Sequence, residues 1–581
     1  MDTFYIVIVL ILLSLAALDL VVGVANDAVN FLNSSIGSKV APLWVILTVA
    51  SVGVLLGSLF SSGMMEIARS GVFYPGKFTF PDIMMLFLAV MITDVILLDV
   101  FNTLGLPTST TVSMVFELLG AAVAVAMVNI WKTDTGFLMD YINSGKALTI
   151  ISGILISVVI AFGVGSIIMY FSRILFSFNY KRSFKYVGAI WGGIALTAIS
   201  YFALFKGLKN STLISKETIH FIQENLWVAM LYAWIFWTAF MALLQFVFKV
   251  NILKIIILAG TAALALAFAG NDLVNFIGVF MAGFSSFQIA SDTIASGGTI
   301  ENLTMDKLAQ PVNVDWRFLA GAGVIMVLAL WFNRKARTVT QTEVNLARQG
   351  EGIERFSSTP ASRSLVRNAL NIGKIVKKIT PNSVSNFIEN RFTPAIEADI
   401  PDASFDLIRA SVNLTVSAIL ISVGTSLKLP LSTTYVTFMV AMGSSLADRA
   451  WGRESAVYRI TGVLTVITGW FMTALIAFTI AAIVAFALMY GGIYAIVGLL
   501  LLVVVLFVQF MIIHKKREKA VDASEDAQLN SEHDIVIKCT QQIEDSVQKI
   551  IEIYQGILVR GIKRKGKQKT HAVTYKMQKN K

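Results

Sequence analysis

The sequence predicts an all-α, polytopic membrane protein with about 12 spanning or partly spanning helices. Three observations carry that prediction. Only 14% of the 581 residues are charged, against roughly 25% in soluble domains. Apolar residues make up 56% of the chain, and mean hydropathy is +0.73. Apolar runs close to the roughly 20 residues that a bilayer-crossing helix needs recur along the chain. A soluble globule of this composition would expose large apolar patches. That excludes a soluble enzyme, a disordered chain or a nucleic-acid-binding domain as the main body.

The first span is read near 3–25, because the N-terminal stretch lacks a basic leader region and a small-residue cleavage site. Further spans fall near 42–62, 82–104, 111–130, 148–172, 186–206, 227–248, 252–270, 274–290, 316–333, 407–427, 434–448, 456–488 and 491–513. Some of these read as half-helices or re-entrant hairpins, and 456–488 is long enough to be tilted or bent. The aromatic stretch Trp227–Trp237 reads as an interfacial belt.

The net charge of +11 is concentrated outside these spans. Residues 334–406 and 514–581 together carry +9 of it. With the cluster Arg173–Lys185, they mark cytoplasmic faces by the positive-inside rule and give no reason to expect nucleic acid as a partner. Ser364–Ile379 has the periodicity of a basic amphipathic helix, although a solvated linker is the simpler reading. Residues 530–560 carry apolar positions at helical spacing. The single cysteine, Cys539, excludes disulfide and cysteine-metal frameworks. None of the four histidines, His220, His514, His533 and His571, lies in a long apolar segment.

A duplication carries the chemistry. Asn26-Asp27-Ala28-Val29-Asn30-Phe31 and Asn271-Asp272-Leu273-Val274-Asn275-Phe276 share one pattern. Leu106-Pro107-Thr108-Ser109-Thr110-Thr111 and Leu429-Pro430-Leu431-Ser432-Thr433-Thr434 share a second. A glycine follows each serine at the same offset, as Gly120 and Gly443. The order is the same in both halves. The chain therefore divides into a first transmembrane repeat (1–172), connecting helices (173–251), the first part of a second repeat (252–333), a polar cytoplasmic insert (334–406), the second part of that repeat (407–513) and a basic cytoplasmic tail (514–581). Matching polar breaks in two repeats point to a secondary-transporter site at their interface.

Proline followed by Ser-Thr-Thr suits a helix start, where free N–H groups, the positive dipole end and hydroxyl donors meet. Two such starts, with Ser109, Thr110, Thr111, Ser432, Thr433 and Thr434, could hold a tetrahedral oxyanion without Lys or Arg. Asn26, Asp27, Asn30, Asn271, Asp272 and Asn275 form an oxygen-only set suited to a hard cation. A carboxylate repels a phosphate-like anion unless a cation bridges them or a proton neutralises the acid, so anion and co-ion would bind together. The other reading of Asp27 and Asp272 is that they cap broken helices. Asp19, Asp94, Asp99, Glu66 and Glu117 are further intramembrane acids. Asp94, Asp99 and Glu117 are candidates for a cation path, one of the aspartates alternatively lying at the interface. Glu66 and Arg69 read as a local i, i+3 pair.

These paired motifs, with the flanking stretch 51–73, resemble the PiT inorganic phosphate transporter family over about 1–330 and 407–490. The resemblance implies two inverted repeats, alternating access and symport of inorganic phosphate with Na⁺ or H⁺. By position it places Asp27, Asn30, Asp272 and Asn275 with the six Ser and Thr residues around phosphate and cation. Asn26 and Asn271 join them as cation ligands or supports of a helix break. The family's G-A-N-D stands here as Val24-Ala25-Asn26-Asp27 and Ala269-Gly270-Asn271-Asp272. The histidine that often follows S-T-T is replaced by Val112 and Tyr435, which favours Na⁺ over H⁺, although acids can still carry protons. The tail faintly resembles the start of the PhoU-like helical domains fused to some members. No cofactor and no enzymatic activity are expected. The expected setting is the bilayer of a bacterial cytoplasmic membrane, with a homodimer and regulatory contacts through insert and tail as further partners. The alternatives are a symporter of another oxyanion, sulfate or arsenate, and a membrane-embedded enzyme or receptor.

Overall fold

The computed structural model describes residues 3–104, 108–201, 217, 224–310, 314–333, 340, 344, 359–393, 403–449 and 453–565. These residues are helical apart from loops and two isolated β-bridges, Phe73 to Ile142 and Thr79 to Thr304. Among the described residues eight helices are long and apolar enough to cross a membrane, and three shorter ones are also apolar. The protein is therefore an integral multi-pass membrane protein. The stretches 252–270 and 274–290, read as two spans from sequence, are one helix, Ile252–Ala295.

Helix α1 (Thr3–Gly37) is followed by α2 (Leu43–Leu59) and the short α3 (Glu66–Ser70). The pair α4 (Phe80–Leu104) and α5 (Thr110–Thr133) leads to α6 (Ser144–Phe176), α7 (Tyr180–Ile199) and α8 (Leu226–Phe246). The second half opens with α9 (Ile252–Ala295) and α10 (Trp316–Phe332). The insert contributes α11 (Pro360–Ile379) and α12 (Asn382–Arg391), so Ser364–Ile379 is helical. Then come α13 (Leu407–Ser426), α14 (Thr433–Ala447) and α15 (Arg453–Lys565), interrupted by non-helical backbone at Gly492. Residues Met1–Phe510 form one compact unit. Residues Met511–Lys581 form a second, helical as far as Lys565 and including the amphipathic stretch 530–560.

Helices α1 and α9 pack on each other at the centre, with α4, α2 and α13 around them. Trp227, Tyr232 and Phe236 on α8 are exposed, as side chains facing lipid would be. The expectation that the N-D-x-V-N-F segments break their helices is corrected: α1 and α9 run through both motifs uninterrupted. Neither helix contains proline, and an intact ladder leaves no backbone group unpaired in an apolar interior. The breaks fall at the other motif, between α4 and α5 and between α13 and α14. Leu106 and Pro107 lie outside the described residues.

The paired glycines mark where α5 and α14 meet their neighbours. A Cβ on Gly120 would lie 2.2 Å from the carbonyl oxygen of Phe478, and one on Gly443 2.4 Å from that of Phe162. At one end of α6 a buried ionic knot joins three helices. Arg173 meets Asp448 through Nε at 2.5 Å and Nη2 at 2.8 Å, and Asp406 through Nη1 at 2.8 Å. Arg409 Nη2 also meets Asp448, at 2.8 Å. The insert returns to the same end, where Arg391 donates to the carbonyls of Ile174 and Leu175 and the Ser404 amide donates to the carbonyl of Gly37. Burial alone would push the Asp448 carboxyl up, but Arg409 and Arg173 reverse this and hold it below the ordinary carboxylate value.

Two predictions follow from this packing. Gly443→Leu forces helices apart and lowers stability by at least about 1–3 kcal/mol, read as a loss of monodisperse protein in size-exclusion chromatography. Asp448→Asn leaves two buried guanidiniums without their shared carboxylate, and breaking such a pair costs about 3–5 kcal/mol. Because the folded carboxyl titrates below the unfolded value of about 3.9, its contribution is complete above that value and disappears as pH falls through the folded one. Thermal unfolding in detergent should show a gap from wild type that is constant from about pH 5 to about pH 8 and closes only in acid.

Candidate functional site

The two motif helices and the two helix starts converge at one buried point. Ser109 and Ser432 are the N-caps of α5 and α14: their Oγ atoms accept from the amides of Val112 and Tyr435, each at 3.2 Å. This fixes the following threonines in the first helical turn, where Cβ direction carries both side chains toward α1 and α9.

The threonine hydroxyls are divided between the two aspartates. Asp27 accepts from Thr110 at 2.8 Å and from Thr434 at 3.2 Å. Asp272 accepts from Thr433 and, at 3.3 Å, from Thr111. Each carboxylate thus takes one hydroxyl from its own half and one from the other. The asparagines cross over as well. Asn30 donates to Thr433 and Thr434 at 3.2 and 3.1 Å, and Asn275 donates to Thr110 and Thr111 at 3.1 and 3.0 Å. Exchanging the two halves maps one set of bonds onto the other. All twelve predicted residues of the duplicated motifs are buried, Asn30 the most exposed at 4%.

Asn26 and Asn271 do something different. The Asn26 side chain accepts from the Thr108 amide at 3.1 Å and donates to Asn102 at 2.8 Å. The Asn271 side chain donates to the Leu431 carbonyl at 2.7 Å and accepts from Thr425 at 3.3 Å; unlike Asn26, it also donates to the adjacent carboxylate, Asp272, at 2.6 Å. Each therefore satisfies a backbone group freed by the break in its own half, a group that would be expensive to bury unpaired. Of their two expected roles, this geometry favours support of the break. Asn102 and Thr425 were not singled out from sequence. Both stand six residues before the x of L-P-x-S-T-T, so aligning the halves beyond the motifs would have found two polar residues at matching apolar-helix positions. Thr437, which donates to Asn30 at 3.3 Å, has Met114 at the matching place and left no such signal.

The remaining acids separate. Asp94 and Glu117 come together through Ser113, whose hydroxyl lies 3.0 Å from Asp94 and 2.6 Å from Glu117, and Asp19 faces them from α1. Asp99 is buried on α4 but stands roughly 140° around the helix from Asp94. The local Glu66–Arg69 reading is corrected. Glu66 reaches Lys146 and Lys428, each at 3.3 Å, while Arg69 donates to the Gln310 carbonyl at 3.1 Å. Burial raises the Glu66 carboxyl, but the two ammonium groups pull it below its ordinary value. Tertiary neighbours offer both residues better partners than each other. Among the described residues no group of three or more His, Cys, Asp or Glu side chains is arranged to hold a metal ion.

Chemically, the centre holds four hydroxyl donors at two helix starts, two carboxylates and two amides, with no Lys or Arg side chain among its bonds. Known proteins resemble the chain in sequence and in fold. The model of the phosphate transporter family matches residues 23–348, more than half of the chain. "Putative phosphate permease TK2061" of Thermococcus kodakarensis is 24% identical over 259 residues, 44% of this chain and 61% of that protein. "Putative phosphate permease PYRAB14010" of Pyrococcus abyssi is 23% identical over 323 residues, 54% of this chain and 73% of that protein. The match thus spans about three-fifths of the length of the first relative. A solved structure described as "The sodium-dependent phosphate transporter" has the same fold, with a TM-score of 0.56 at 17% identity, covering 83% of this chain and 99% of that one.

The exchange symmetry of the bonds makes a test. Thr110→Val and Thr433→Val each remove one donor to a buried carboxylate, at a cost of about 1–3 kcal/mol. Thermal unfolding in detergent without phosphate should show falls of similar size in the two variants.

Proposed function

The chain belongs to the phosphate transporter family, and on that premise we propose that it is a secondary active transporter moving inorganic phosphate together with Na⁺ or H⁺ by alternating access. The observation that carries this reading is the sharing of Thr110, Thr111, Thr433 and Thr434 between Asp27 and Asp272. The hydroxyls that would donate to a tetrahedral anion are the ones that now satisfy the carboxylates. An anion entering between the two helix starts takes those donors and leaves Asp27 and Asp272 both unsatisfied and repelled. A cation or a proton on the carboxylates removes both penalties. Anion and co-ion then bind as a pair, which is the thermodynamic content of symport. Ser109 and Ser432, Asn30 and Asn275 complete the anion and cation ligand set in this reading. Asn26 and Asn271 hold its walls.

Inverted repeats are supported by helix direction. Helix α5 leaves the site and ends at Thr133, shortly before the start of α6 at Ser144. Helix α14 leaves the site and ends beside Asp448, which meets Arg173 near the far end of α6. As α6 is 33 residues long, or about 50 Å, α5 and α14 run to opposite membrane faces. The face holding Arg173 and the insert is assigned to the cytoplasm by the positive-inside rule, in the cytoplasmic membrane of a bacterium. Repeat 1 is then 1–172 and repeat 2 is 252–333 with 407–513, the insert 334–406 and the tail 514–581 being available for regulatory contacts.

Radiolabelled phosphate uptake into proteoliposomes, under separate Na⁺ and pH gradients, tests this. Uptake driven by one of the gradients is expected. Asp27→Asn and Asp272→Asn should each lower it about 10- to 100-fold, the worth of a charge-assisted bond lost from the loaded state. Undiminished uptake in both variants would remove the carboxylates from the mechanism. Excess sulfate should leave uptake intact, because it neither carries a proton near neutral pH nor matches a site built beside two acids; strong competition would move the assignment to a broader oxyanion carrier.

A further inference from the structure

Asp19, Asp94, Ser113 and Glu117 form a second buried polar centre, contributed by α1, α4 and α5. It lies eight residues from Asp27 along α1, about 12 Å, and does not share the duplicated framework. The matching positions in the second half, taken by offset from Asp272 and Ser432, are Leu264, Ser417, Val436 and Val440. The acids are present in one repeat only. All four side chains are at most 1% exposed.

The bonding here is incomplete. Ser113 bridges Asp94 and Glu117. Both oxygens of Asp19 and Oε2 of Glu117 receive no protein hydrogen bond. Asp94 and Glu117 are the nearest charged neighbours of Asp19, both acids. Neighbouring buried carboxyls escape mutual repulsion only when protons neutralise them.

The surroundings supply no counter-charge. The nearest other titratable group is Asp27 on α1, also an acid, and the buried Asp99 on α4 and Asp272 on α9 are acids as well. The basic residues of the packed helices, Lys132, Lys254 and Arg317, are exposed near helix ends, and Arg409 is held by Asp448. No metal-competent trio exists among the described residues. Three acids in an apolar interior without a cation hold protons rather than three charges.

We propose that Asp19, Asp94 and Glu117, bridged by Ser113, form a proton-binding site separate from the phosphate centre, and that its proton is exchanged during the transport cycle. The proposal rests on the transport reading above. Helix α5 carries both Ser113–Glu117 and Thr110–Thr111, so a movement of α5 that opens the phosphate centre also separates Ser113 and Glu117 from Asp19 and Asp94. The proton thereby favours the state in which α1, α4 and α5 are together.

The test combines a spectroscopic and a transport measurement on the full chain in lipid. Infrared difference spectra between acid and alkaline pH should contain a protonated-carboxyl band that Asp19→Asn and Glu117→Gln each diminish. Phosphate itself titrates near neutral pH, so transport is read as the ratio of variant to wild-type uptake at each pH. That ratio should change with pH by up to about tenfold per unit, the limit for one proton. Variants are compared after size-exclusion chromatography shows them folded, and Ser113→Ala, which keeps all three acids, should shift the band without abolishing it. An unchanged band with a flat ratio in both acid variants overturns the proposal. A wild type that takes up no phosphate but shows the band, lost in the variants, overturns the transport reading and leaves the proton site supported.

Discussion

Two buried carboxylates sharing four threonine hydroxyls are the constraint around which the rest is arranged. Asp27 and Asp272 sit at the centre of the membrane body and no Lys or Arg bonds them. Ionised or not, they need donors, and the donors come from the first turns of α5 and α14. For those turns to start at the centre, α4–α5 and α13–α14 must be interrupted in mid-membrane. The interruptions free backbone groups, and Asn26 and Asn271 satisfy one each. The N-D pair is thus two adjacent functions on one helix: the asparagine tends the break of its own half, and the aspartate takes hydroxyls from both halves.

That arrangement also explains why α1 and α9 are continuous. A helix that provides ligands through its side chains need not break, and unbroken backbone adds no unpaired groups to an apolar interior. Anion affinity without basic side chains is a matter of helix starts and hydroxyls, each weaker than a guanidinium. The buried charge pairs lie elsewhere: Arg173, Arg409 and Asp448 tie α6, α13 and α14 at one end. Near the other end of α6, a half-exposed Glu66 reaches Lys146 and Lys428.

Superimposed on the two-fold centre are features of one half only. The acid cluster of Asp19, Asp94 and Glu117 has apolar or serine counterparts, and Ile496 stands by offset where a second copy of Arg173 would be. A symmetric centre can serve two conformations equally. Asymmetric groups make such conformations unequal in energy and shift their populations.

Much of this was legible from sequence. Composition fixed the membrane class, and the two duplicated motifs identified the residues that the fold brings together, because polar residues repeated in order within apolar runs have few explanations other than a shared site. What sequence misread was local geometry. Motif spacing suggested broken helices at N-D-x-V-N-F, whereas the backbone ladder there is cheaper to keep. The i, i+3 spacing suggested that Glu66 pairs with Arg69, whereas Lys146 and Lys428 approach from other helices. Sequence alone therefore determined the solvent, the duplication and the identity of the central side chains, since these are encoded by residue type and order. Only the tertiary structure decided which threonine serves which aspartate, that Asn102 and Thr425 brace the asparagines, and that Asp19 faces Asp94 and Glu117, because contacts between helices far apart in the chain are set by packing that no local pattern records.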